Sequence, residues 1–234
     1  MTAEMQGSRE WARYAWAGGV VFVLGLLTES VLAGGIPVNQ DSSAAKIATE
    51  LGAHSTRLVA VACLSIVYAT GFVIYLWRLH DLVRAAADRL RPLASLVLVG
   101  GVLFITMHAV SDIAVTGLLG AKLASYGAAH DPGISYTLYL MTFALDSVGD
   151  VFGGLFMAAV ALVVLRTGML PRWLGWNTLL VAILFFLQGF GLGGLIARFG
   201  LALDLVAFAL FIIFVLASSI TLARRVNVPI RTAA

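Results

Sequence analysis

Six runs of apolar residues, each close to or longer than the roughly 20 residues that cross a bilayer, take up most of this chain. They lie at about 15–33, 57–79, 93–119, 134–165, 174–196 and 201–223. Within them the apolar residues are continuous, so no helix face or strand face is reserved for water. With 61% hydrophobic and 12% charged residues the chain is far from the ~45–50% and about 25% of a soluble domain, and its solvent is lipid. Backbone groups in lipid must be satisfied within the segment or within a closed barrel. The expected fold is therefore all-α: a polytopic bundle of six transmembrane helices, one domain over residues 1–234.

The punctuation agrees with that parse. All five prolines, at 37, 92, 132, 171 and 229, fall in connections or at helix ends, where a missing N–H costs least. Gly34-Gly35-Ile36-Pro37 ends the first run, and Asp41-Ser42-Ser43 is placed as an N-cap for a short amphipathic helix from Ala44 outside the bilayer. Trp77 and Arg78 close the second run as an interfacial pair. Gly120–Gly133 reads as a loop ending in the turn His130-Asp131-Pro132-Gly133. The fourth run exceeds what a bilayer requires, so its first turns project or the helix tilts. The first run could also be read as a signal core ending at Val31-Leu32-Ala33. Its length and Glu29 favour a retained span.

Charge sets the expected orientation. Of the 15 basic residues, Lys46, Arg57, Lys122 and Arg198 fall on one side, and the other eleven fall on the side shared by the two termini. By the positive-inside rule both termini are cytoplasmic, in a cell inner (plasma) membrane. The net charge of +3 comes with no basic run interleaved with aromatics, so nucleic acid is not an expected partner. The expected partner is the lipid bilayer, with a second copy or a membrane partner protein left open. Cys63, the one cysteine, lies in an apolar run and reads as a buried thiol; disulfides and thiolate zinc sites are excluded. Thr2 and the terminal Arg231-Thr232-Ala233-Ala234 match no lipidation signal.

Before the fifth run the chain reads Leu165-Arg166-Thr167-Gly168-Met169-Leu170-Pro171-Arg172-Trp173-Leu174-Gly175-Trp176, a basic, aromatic turn. This resembles the signature of a widespread bacterial family of six-helix membrane proteins catalogued as a domain of unknown function. The second run, from Thr56-Arg57-Leu58 through Tyr75-Leu76-Trp77-Arg78-Leu79, is similar to that family's matching span. The resemblance implies an all-helical membrane fold and no catalytic residues. Physically, Gly168 ends one helix, Pro171 blocks its continuation, and Trp173 and Trp176 anchor the interface.

The candidate site comes from ionisable residues inside the runs. His108 and Asp112 sit four apart in the third run, and Asp146 and Asp150 four apart in the fourth, each pair on one helical face. Glu29, Gln188 and Asp204 lie toward the same leaflet, the outer one in this topology. Each charge facing lipid at mid-helix would cost roughly 2.5–3.5 kcal/mol, so the groups are expected to face inward together. Three readings follow. A cation or small-ligand pocket with transport-like function would use the carboxylates as a relay sharing protons. A metal-dependent intramembrane hydrolase would use His108, Asp112, Asp146 and Asp150 as ligands to a divalent zinc, manganese or iron ion. A structural role would have the same groups bond one another or Ser111, Thr116, Ser147 and Gln188 to hold the bundle or a partner.

Other features have plainer readings. His54 and His80 flank the second run as solvated interfacial residues. Ser65, Tyr68, Phe72 and Tyr75 form a packing stripe, and the glycine pairs at 18 and 19, 100 and 101, and 153 and 154 mark helix contacts. No phosphate loop, dinucleotide fingerprint, nucleophile elbow or His-Glu-x-x-His motif is present. The halves of the chain have opposite topology but share no matching motif.

Overall fold

A computed structural model describes residues 3–39, 41–86, 91–190 and 200–226. Every regular element among them is helical: α1 (Ala3–Ala33), α2 (Ala44–Ala53), α3 (Ser55–Ala86), α4 (Arg91–Ala109), two π-helical segments, Val110–Thr116 and Leu119–Leu123, then α5 (Ala124–Ala129), α6 (Pro132–Thr167), α7 (Arg172–Gly189) and α8 (Gly200–Val226). Five stretches are long and apolar enough to cross a membrane: Trp16–Ala33, Ser55–Ala86, Pro92–Thr116, Pro132–Thr167 and Leu205–Arg224. The fifth expected run, at about 174–196, corresponds to α7, which is 18 residues long and carries Arg172, Asn177 and Gln188. Residues 191–196 of that run, and Arg198, lie outside the described residues, as does Pro229.

Helix ends follow the local chemistry. Ser43 caps α2, its hydroxyl accepting from the Lys46 N–H at 3.3 Å. Asp131 caps α6 by accepting from the Gly133 N–H at 2.9 Å, with Pro132 at the first helical position. At 36 residues α6 rises about 54 Å, well beyond a hydrocarbon core of about 30 Å. It ends at Gly168, whose φ of 66° is the left-handed conformation that favours glycine, and the Gly168 N–H returns to the Val164 carbonyl at 2.9 Å. Pro171 then caps α7.

Long helices lie side by side, α1 against α3 and α8, α3 against α4, and α6 against α4 and α7. The glycine pairs are indeed contacts. Cβ atoms on Gly18 and Gly71 would each come within 2.8 Å of the other's carbonyl oxygen, so these two positions carry the α1–α3 crossing. Gly101 receives Leu76, Gly100 receives Phe156, and Gly153 receives Phe104 and Phe185. Phe22, Phe72, Phe104, Phe156, Phe185 and Phe211 fill the centre, with Phe72 5.7 Å from Phe104 and 6.0 Å from Phe156 between ring centroids. All six are at most 6% exposed, which makes this the dry core of the bundle.

Three expectations are corrected. The stretch from Gly120 is not a loop: chain from Leu119 to Ala129 stays helical, because Leu119 and Ala124 join Ile47, Leu51, Leu58 and Val115 in a second buried cluster under α2. Cys63 is exposed on the bundle surface, not buried. His80 is not a solvated residue; its side chain is 15% exposed and its Nδ1 is buried, whereas His54 is 30% exposed and bonds the Glu50 carbonyl at 2.8 Å.

Candidate functional site

The ionisable residues gather toward the end of the bundle that carries α2, and the helix register explains how. Going along α3 and α4 in opposite directions, Leu76 meets Gly101, Phe72 meets Phe104, Tyr68 and Ser65 meet Asp112, Ala62 meets Gly117 and Leu58 meets Gly120. Along α4 and α6 the matching levels are Gly100 with Phe156, Phe104 with Gly153, His108 with Gly149 and Asp150, and Ser111 with Thr142. One level above the phenylalanine core, then, three antiparallel helices present acids, a histidine and hydroxyls.

His108 closes α4 and turns toward α6. Its Nδ1 lies 3.0 Å from the Phe104 carbonyl, which can only accept, so the proton sits on Nδ1 and Nε2 faces Asp150 Oδ1 at 3.7 Å. Room for the ring comes from Gly149, where a Cβ would stand 2.6 Å from both Cε1 and Nδ1 of His108. His108 and Asp150 are 25% and 18% exposed, so this contact is largely shielded.

Asp112 turns the other way, toward α3. Its Oδ2 accepts from the Tyr68 hydroxyl and lies 3.2 Å from the Ser65 hydroxyl, which also stands 3.0 Å from the Val61 carbonyl. In an uninterrupted α-helix His108 and Asp112 would share one face. Asp112 instead sits in the π-helical segment Val110–Thr116, whose wider turn redirects it, and the pair is divided between two neighbouring helices. Such wide turns inside α-helices recur at functional sites.

Asp146 completes the group from α6. It lies within electrostatic range of His108 and Asp112 and beside Ser111, which is 1% exposed and whose hydroxyl donates to the Thr142 carbonyl at 3.4 Å. Glu29, four residues from the end of α1, is half-buried and interacts with both Asp112 and Asp146. Five of the seven expected residues, Glu29, His108, Asp112, Asp146 and Asp150, are thus brought together. Gln188 is half-buried at the end of α7, beside Gly189, which packs on Ser147 and Val151 of α6. Asp204 lies on the first turns of α8, and its side chain falls outside the described residues.

Two residues of the cluster were read in the sequence only as packing. Ser65 and Tyr68 are buried as the stripe predicts, 0% and 2% exposed, but their hydroxyls also serve Asp112. The signal for them was present in their i and i+3 spacing on one face; what the sequence does not carry is the π turn that brings Asp112 to that face.

Among the described residues no three His, Cys, Asp or Glu side chains stand close enough together to hold a metal ion, so the donors do not form a divalent-metal cage. Two apolar grooves lie on the bundle surface, one between α3 and α4 and one between α1 and α3, and neither is lined by an acid. The carboxylates are enclosed by helices rather than opening into either groove.

Residues 20–223 match the family described as Domain of unknown function (DUF4386). The chain belongs to this family. Comparison with curated proteins and with solved structures finds no match. Membership in DUF4386 covers α1 from its second third through almost all of α8, so the acid cluster lies wholly within the family's shared region.

Proposed function

We propose that the chain is a six-span plasma-membrane protein of a bacterium, with both termini cytoplasmic, whose outer-leaflet acid cluster binds a small cation in competition with protons and serves a transport-like exchange of the two. One observation carries this reading: charge imbalance. No lysine or arginine falls within residues 16–33, 58–77, 92–121 or 132–165, whereas Glu29, Asp112, Asp146 and Asp150 all do. His108 is the only basic side chain in those stretches. Four carboxylates at one level in a low-dielectric bundle, facing one imidazole, must take up protons or cations to stay there. A group that exchanges one for the other is a coupling site.

Purified protein in vesicles loaded with a pH-sensitive dye tests this. Imposed sodium or potassium gradients should drive proton movement, and Asp112→Asn and Asp146→Asn should each abolish it. Wild-type vesicles that move no protons under any of these gradients would rule the reading out.

The hydrogen bonds from Tyr68 and Ser65 to Asp112, and from Ser111 to the Thr142 carbonyl, support a second reading, in which the cluster only ties helices together. In that case the Asn variants would lose thermal stability, wild-type vesicles would show no flux, and the protein would co-purify with itself or a membrane partner.

A further inference from the structure

We propose that Tyr68 is the positioning residue of the Asp112 carboxylate, holding Oδ2 so that Oδ1 is the oxygen presented to the cation. The inference rests on the cation-site reading for its second half only. Tyr68 belongs to α3, a 32-residue helix without interruption, whereas Asp112 stands on the wider π turn. The tyrosine ring is fixed on several sides. It is 2% exposed, the Phe22 ring meets it edge-on with centroids 5.9 Å apart, and a Cβ on Gly25 would come within 2.8 Å of its own Cβ. A ring so enclosed cannot follow the carboxylate; the carboxylate must come to it.

Chemistry makes the arrangement one-sided. The phenol has one proton, and it goes to Asp112 Oδ2. The Ser65 hydroxyl, also with one proton, stands against the same oxygen and against the Val61 carbonyl, and therefore adds a second contact to Oδ2 and none to Oδ1. Both groups are neutral. They satisfy one carboxylate oxygen without cancelling its charge, which an arginine or lysine in the same place would do. The remaining charge is left on Oδ1, in a carboxylate that also interacts with His108, Asp146 and Glu29. Tyr75, two turns further along α3, shows the contrast: its hydroxyl is taken by Ser218 at 2.6 Å and reaches no acid.

The test is infrared spectroscopy on full-length protein labelled with carboxyl-¹³C aspartate, with the Asp112 band identified as the one lost in Asp112→Asn. In Tyr68→Phe, which keeps the ring and its packing, the Asp112 carboxylate band should shift, and in Ser65→Ala it should shift less. A reciprocal arm uses ring-labelled tyrosine, whose Tyr68 C–O band should move in Asp112→Asn, so the contact is tested even if Tyr68→Phe does not fold. An unmoved band in either arm overturns the positioning role. In vesicles Tyr68→Phe should raise the cation concentration for half-maximal exchange about 10- to 100-fold with the maximal rate retained, the effect of one hydrogen bond to a charged group. A maximal rate lost at unchanged half-saturation overturns the assignment of Oδ1 to the cation. Shifted bands in a protein that exchanges no cation would keep Tyr68 as the Asp112 partner and refute the transport reading alone.

Discussion

The two halves of the bundle handle polar groups in opposite ways. In the half away from α2 the buried hydroxyls pair with neutral groups: Tyr75 meets Ser218, Ser218 bonds the Phe214 carbonyl at 2.7 Å, and Thr178 bonds the Leu174 carbonyl at 2.6 Å. In the cluster beneath α2, the carboxylates of Glu29, Asp112, Asp146 and Asp150 outnumber the one imidazole, His108, and hydroxyls from α3 serve Asp112. Between the two lies the phenylalanine core. Matched neutral pairs hold helices together and need nothing further, whereas an excess of one charge is a requirement for something brought from outside. The fold rests on the first arrangement, and the proposed function on the second.

Five substitutions sharpen or break that contrast. Phe72→Ala, at the centre of the core, should cost about 3–5 kcal/mol, read as thermal unfolding in detergent. If Asp112→Asn costs as much, the acids are structural and the contrast fails. Gly149→Leu drives a side chain into His108 and should cost about 1–3 kcal/mol. It should also move the His108 ring signals in a nitrogen-labelled histidine spectrum, since the contact with Asp150 is lost. Ser43→Ala removes the α2 cap and should cost about 1 kcal/mol, seen as faster amide exchange across Ala44–Ala53 with the core unaffected. Tyr75→Phe should cost only about 0.5 kcal/mol, because Ser218 keeps its own backbone acceptor, and should leave proton–cation exchange unchanged. Loss of exchange in Tyr75→Phe would show that the two halves are not separate.

The helices were legible because lipid enforces them: a chain that cannot expose its backbone must write each span as a long apolar run, and Ser43, Pro132, Gly168 and Pro171 mark ends by the same chemistry in any helix. Convergence of Glu29, His108, Asp112, Asp146 and Asp150 was legible for a related reason, the cost of aiming any of them at lipid. The partners of each were not. Val110-Ser111-Asp112-Ile113-Ala114-Val115-Thr116 is rich in β-branched residues, which form helix less readily, but no spacing in it marks the wide turn, which packs against α3 and α6. Without that turn Tyr68 reads as core, and His108 and Asp112 read as neighbours. Leu119–Ala129 was missed as helix because Gly120, Gly127 and Lys122 suggest a loop, and only burial beneath α2 overrides them.

The two π-helical segments also mean that this part of the chain holds slack. A wide turn spends more residues per unit of length than an α turn, with its backbone hydrogen bonds still closed. Between Val110 and Leu123 the chain therefore has residues to give up or take in without breaking the helix. Asp112 stands on this stretch while Tyr68 and Asp146 stand on the uninterrupted helices α3 and α6, so on the proposed reading a shift of the wide turn is the motion that would load and release an ion.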